Sequence, residues 1–216
     1  MPASNPKQVI LVPGADALTF EEDRAEAERR DIVVRELTLP PFSGHPIDDR
    51  KAHFDAVAVQ IAAAAQEMRE QQPQGRLAAI GRNNGGGQLA WALATTVALD
   101  AVVLVGAIPE ISLYRKESNS PSAVTFRDSL SSDAEYARIV EMQPLDIVNS
   151  SKQWAKTRCL LQFGLNDPYI DETATAAADT LASDHRVEWL DDDHAMVSPH
   201  SLEQRWSFIE AAFAPE

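Results

Sequence analysis

Ala79-Ile80-Gly81-Arg82-Asn83-Asn84-Gly85-Gly86-Gly87 reads as a buried strand that turns sharply into a helix. The apolar run before Gly81 suits a central strand, and the residues after Gly87 carry apolar positions at helical spacing. A turn this tight needs small neighbours where strand and helix nearly touch, and Gly81 and Gly85 supply them. The residue at its tip takes a strained backbone, and Asn tolerates positive φ better than most. Asn83 therefore suits the turn.

Outward from this turn, apolar and β-branched runs alternate with helix-prone stretches. Strands are expected at residues 8–12, 31–37, 76–80, 101–105, 157–163 and 186–190. Helices are expected at 21–30, 48–71, 86–99, 132–142, 171–182 and 200–213. In the long helix, Phe54, Val57, Ile61 and Ala65 fall at helical spacing. The run 101–105 is nearly all apolar, as in a central parallel strand covered on both faces. The alternation predicts one α/β domain over residues 1–216: a doubly wound, mostly parallel sheet of about six strands with helices on both faces. Residues 109–149 hold short helices and are the place for a lid insertion. Asp16, Asn83, Asp167 and His194 each follow a strand, so the topology brings them to one sheet edge.

Three loops together resemble the α/β-hydrolase fold family. The first is Gly81-Arg82-Asn83-Asn84-Gly85, where that family carries a G-x-S-x-G nucleophile elbow. The second is Phe163-Gly164-Leu165-Asn166-Asp167-Pro168, and the third is Leu190-Asp191-Asp192-Asp193-His194-Ala195-Met196. Their order is nucleophile position, acid, histidine, and the resemblance runs from about Gln8 to Phe213. It implies a compact member, without the first strands of larger relatives and with Asn in place of the nucleophilic serine.

The resemblance also implies roles. Asp167 orients the imidazole of His194, which acts as general base. The backbone N–H groups of Asn84 and of Ala15 or Asp16 form an oxyanion hole, which survives loss of the serine. The Asn83 amide is a poor nucleophile and a fair hydrogen-bond donor. Arg82, His45 and Met196 are candidate substrate contacts, Arg82 equally as exposed filler of the turn and Met196 equally as core packing. Tyr114, Phe126 and Tyr136 line a pocket or pack as core. Asp191, Asp192 and Asp193 raise the histidine's pKa if they lie close.

Three functions stay open. The first is a cofactor-free enzyme in which the His–Asp dyad and the hole catalyse cyclisation, elimination, isomerisation or water addition on a small carbonyl or ester substrate. The second is an esterase or thioesterase with an atypical or substituted nucleophile. The third is a silent member that binds a small molecule or a protein.

Composition narrows the partners. Net charge is -14, with 33 acidic against 19 basic residues, which disfavours nucleic acid and anionic membrane as partners. No cofactor is expected: the glycine-rich turn lacks the Gly-Lys-Ser/Thr ending of a P-loop and misses G-x-G-x-x-G at Asn83. No metal is expected either, because the five histidines show no ligand spacing. The single Cys159 sits in an apolar run and reads as a buried thiol. No stretch is apolar enough to span a bilayer, and the first six residues lack the basic start and apolar stretch of a leader, so a cytoplasmic location is expected. Oligomeric state is not written in the sequence. Asn84-Gly85 reads as a flexible pair open to deamidation.

Overall fold

The computed structural model describes residues 6–14, 19–38, 47–130, 132–141, 146–150, 157–182 and 185–214, with backbone only for 47–54, 138–141 and 149–150. Its strands are β1 (Lys7–Val12), β2 (Val33–Glu36), β3 (Arg76–Arg82), β4 (Ala101–Val105), β5 (Arg158–Gly164) and β6 (Arg186–Leu190). The helices are α1 (Glu21–Arg29), α2 (Ile47–Gln71), α3 (Asn83–Thr96), α4 (Ile111–Glu117), α5 (Pro121–Asp128), α6 (Asp133–Glu141), α7 (Ile147–Ser150), α8 (Glu172–Leu181) and α9 (Pro199–Phe213).

The strands form one sheet in the order β2-β1-β3-β4-β5-β6. Every neighbouring pair is parallel. Strand order reverses between β1 and β3, which opens a crevice beyond their carboxyl ends. All five residues of β4 are buried, and β5 is buried beyond Arg158. These strands are covered on both faces, which explains the continuous apolar run of β4 and the apolar residues around the buried Gln162 in β5. The edge strands β2 and β6 are only partly covered, and polar residues interrupt them.

Side chains alternate across the pleat and feed two cores. Ile10, Leu77, Ala79, Val102, Leu104 and Leu161 pack with Val57, Ile61 and Met68 of α2, Leu89 and Trp91 of α3, and Leu181 of α8. Val9, Leu11, Ala78, Ile80, Val103 and Leu160 pack with Ala27 of α1 and Trp206, Ile209 and Phe213 of α9. This is the doubly wound arrangement of the α/β-hydrolase fold.

The boundaries around the turn differ from expectation. The strand before the turn runs to Arg82, and α3 begins at Asn83 rather than at residue 86. Glycine is a weak helix former, yet Gly85, Gly86 and Gly87 are helical here. A Cβ on Gly86 would lie 2.3 Å from the Val12 carbonyl oxygen, and one on Gly81 would lie 2.3 Å from that of Gly86. Close packing, not propensity, selects glycine at these positions. At its far end α3 stops at Thr96, and Val97 is extended after the β-branched pair Thr95-Thr96.

Candidate active site

The site is assembled from loops at the carboxyl edge of the sheet. Asn83 follows β3 directly, half-buried, with φ of 55°. This left-handed backbone is the strained tip that the sequence predicts. Asn83 Oδ1 accepts a hydrogen bond from the Asn84 backbone N–H at 2.7 Å. That N–H is the donor expected to serve the oxyanion hole. The other expected donors, Ala15 and Asp16, lie outside the described residues, as does His45.

Asp167 follows β5 and His194 follows β6, on neighbouring strands. His194 Nδ1 lies 2.7 Å from Asp167 Oδ2. The Asp167 side chain is wholly buried and that of His194 is 18% exposed. The second carboxylate oxygen, Oδ1, accepts from the Tyr169 backbone N–H at 2.8 Å. Both Asp167 oxygens are thus engaged, which fixes the plane of the carboxylate. A carboxylate on Nδ1 selects the tautomer protonated there. In that tautomer the ring's lone pair lies on Nε2.

Two residues at this edge escape a sequence reading. The Tyr169 ring meets the His194 ring edge-on, with centroids 4.6 Å apart. The Tyr169 carbonyl in turn accepts from the Tyr114 hydroxyl at 2.6 Å, tying the acid loop to α4. Gly106, just after β4, has φ of 61°. A Cβ there would sit 3.6 Å from His194 Cε1 and 3.9 Å from Asp167 Oδ2. The dyad therefore rests over a backbone turn that favours glycine. The available signals were a tyrosine just past Asp167-Pro168 and a glycine at the end of an apolar run.

The acidic run before His194 builds the loop. Asp191 accepts from the Asn166 side chain at 3.0 Å, bridging the acid and histidine loops. Asp192 Oδ2 accepts from the Ser201 hydroxyl at 2.6 Å and the Ser198 N–H at 3.0 Å, fastening the loop to the start of α9. Burial alone would raise the Asp192 carboxyl. The hydrogen bonds from Ser201, Ser198 and Asp193 outweigh it and hold the group below its ordinary value. Asp193 Oδ1 accepts from the Ala195 N–H at 2.9 Å.

Arg82 and Met196 are both buried. Met196 is fully buried in the α1/α9 core with φ of 51°, and Arg82 is buried on Asp23 of α1. Both belong to the scaffold beneath the site. Phe126 and Tyr136 pack on each other with centroids 6.2 Å apart, and Arg115 lies over Phe126. Cys159 is buried, and burial pushes its thiol up, out of reactive range. Asn84 is not flexible: it sits in the first turn of α3, and its Oδ1 accepts from the Ile108 N–H at 2.8 Å. Among the described residues, no group of His, Cys, Asp or Glu could hold a metal ion, and no helix is long and apolar enough to cross a membrane.

No family model and no curated protein matches the chain. Solved structures do. A thermostable carboxyl esterase from Bacillus coagulans, in complex with glycerol, aligns with a TM-score of 0.66 at 14% identity over 99% of this chain and 93% of its own. An esterase from Pyrococcus furiosus aligns at 0.64, with 12% identity over 97% and 82%. A puromycin-hydrolyzing peptidase from Mycobacterium tuberculosis aligns at 0.68, with 20% identity over 98% of this chain but only 35% of its own. At such identities the likeness establishes the fold, which is that of the α/β-hydrolases.

Proposed function

We propose that this protein is a cofactor-free hydrolase of small ester or thioester substrates, in which His194 activates water directly. The observation that carries this reading is the hydrogen bond of 2.7 Å between His194 Nδ1 and the buried Asp167 carboxylate. A dyad of this kind supplies a proton acceptor at Nε2 and stabilises the imidazolium that forms. The esterases of like fold add support for the substrate class. Asn83 stands at the elbow without a nucleophilic oxygen, so water attacks the acyl carbon while His194 takes its proton. The tetrahedral oxyanion displaces the Asn83 amide oxygen from the Asn84 N–H, and its collapse breaks the bond to the alcohol or thiol, which leaves with the proton that His194 returns. The broader reading, in which the same base serves a cyclisation, elimination or isomerisation, uses the same atoms and has less support from the similar structures.

The test is release of product from a panel of short aryl esters, thioesters and lactones by the wild type and by His194→Ala. General-base catalysis contributes roughly 10²–10⁴-fold, and a loss of that order is expected in the variant. Equal rates in the two proteins, or no release by either, would overturn the proposal.

One observation favours a second reading, that of a silent binding protein. The Asn84 N–H is already filled by the Asn83 side chain, and a filled hole has no use for a substrate carbonyl. Under this reading the wild type hydrolyses nothing, and Asn83→Ser gains the activity.

A further inference from the structure

Beneath the site lies a buried cluster of charges that the proposed reaction does not use. Asp23 of α1 is fully buried. Its Oδ1 accepts from Arg205 Nε at 2.7 Å and from the Trp206 indole N–H at 2.9 Å. Its Oδ2 accepts from Arg205 Nη2 at 2.8 Å and from Arg82 Nη2 at 3.3 Å. Arg205 is fully buried too, and its Nη1 donates to the Met196 carbonyl at 2.7 Å. Two guanidiniums thus share one carboxylate away from water, and Arg82 Nε has no hydrogen-bond partner among the described residues. Burial alone would raise the Asp23 carboxyl, but Arg205 and Arg82 overcome that and hold it low. Such a cluster is a weak source of stability, because desolvation offsets much of the attraction.

Its connections explain its presence. Arg82 immediately precedes Asn83, and Met196 lies two residues beyond His194. Asn83 and Met196 are two of the three non-glycine residues with positive φ among the described residues. Each strained turn therefore ends on one arm of the same carboxylate. We infer that Asp23 is a positioning residue, a buried clasp that holds the Asn83 turn and the His194 loop in fixed relation across the sheet edge. The inference rests on the reading of His194 as the base. The Arg205 arm does not work through charge alone: Arg205 bonds Asp23 through two nitrogens and Met196 through a third, which the fixed fork of a guanidinium allows and an ammonium does not.

The test reads the dyad itself. The proton on His194 Nδ1 is followed by NMR, assigned by its absence in His194→Gln, in the wild type, Asp23→Asn, Arg205→Lys and Ile61→Ala. The last loses stability on the opposite face and serves as control. The clasp predicts that the signal is lost or exchange-broadened in Asp23→Asn and Arg205→Lys and kept in Ile61→Ala. Where the hydrolase reading holds, kcat falls by about 10²-fold, the cost of an ångström-scale misplacement, with KM unchanged. Retention of the signal in folded Asp23→Asn or Arg205→Lys overturns the inference, as does an equal loss in Ile61→Ala. Native-state hydrogen exchange of the wild type covers the case in which the Asp23 and Arg205 variants do not fold. The Trp206 indole N–H and the Met196 amide are then expected to show the same protection. Release of Met196 while Trp206 stays protected would reject the clasp. Loss of the signal in a protein that turns over no ester sustains the clasp and rejects the hydrolase.

Discussion

The two faces of the sheet solve the same packing problem with different chemistry. Against α2, α3 and α8 the core is almost entirely apolar, from Ile10 to Phe163. Against α1 and α9 an equally buried layer includes Asp23, Arg82 and Arg205. Further along that interface Arg30 pairs with Glu26, Glu203 and Glu210. Hydrocarbon on the first face gains free energy from burial without regard to direction. Buried charges on the second gain little net stability but specify geometry, because each hydrogen bond fixes an angle as well as a distance. The directional face is the one under Asn83 and His194. The proposed clasp predicts that stability and site geometry are separated across the sheet, and each side can be tested against the other.

The largest expected effect lies on the apolar face. Ile61 of α2 is 2% exposed. Ile61→Ala should cost about 2–5 kcal/mol, the usual range for a buried large-to-small change, read from urea or thermal unfolding. The His194–Asp167 pairing should be untouched in the folded fraction. A small loss of stability with a disturbed dyad would break the comparison.

A smaller effect, on the directional face, depends on pH. The Asp192 carboxyl is held below its ordinary value by the hydrogen bonds that fasten the histidine loop to α9. Its folded pKa is below its unfolded one, so its stabilisation is fully present above the unfolded value of about 3.9. That stabilisation is lost as pH falls through the folded value. The stability gap between the wild type and Asp192→Asn, measured by urea unfolding at stepped pH, should be widest near neutrality and close below about pH 4. A gap that stays constant with pH would show that Asp192 acts through packing alone.

Much of this molecule is legible in its sequence, for identifiable reasons. Central parallel strands are buried on both faces, so β4 appears as an unbroken apolar run and β5 as one broken by the buried Gln162. Asp167 sits just past β5 and His194 just past the edge strand β6, which places both at the carboxyl edge before any contact is known. The start of α3 was hidden because Asn83-Asn84-Gly85 reads as turn by propensity, although all three lie in the helix; at Gly86 the Val12 carbonyl forbids anything larger. Asp23 was hidden more deeply. In Glu21-Glu22-Asp23-Arg24 it looks like one acid of a solvated helix start, and its partner Arg205 lies 182 residues away. The neighbours of Arg82 and Met196 likewise set their roles, since a long or charged side chain beside an elbow reads equally as a ligand contact or as a strut. The occupation of the Asn84 N–H by Asn83 is a matter of side-chain rotation, on which the sequence is silent.

The central claim is that His194 directs water at an acyl group without an enzyme nucleophile. Intact-mass measurement of the wild type during turnover of an aryl ester tests it most directly, with Asn83→Ser as reference. The expected result is acid product from the wild type with the protein mass unchanged, and an acyl increment on Asn83→Ser. An acyl increment on the wild-type chain, or no acid product from it while Asn83→Ser turns over, would contradict it.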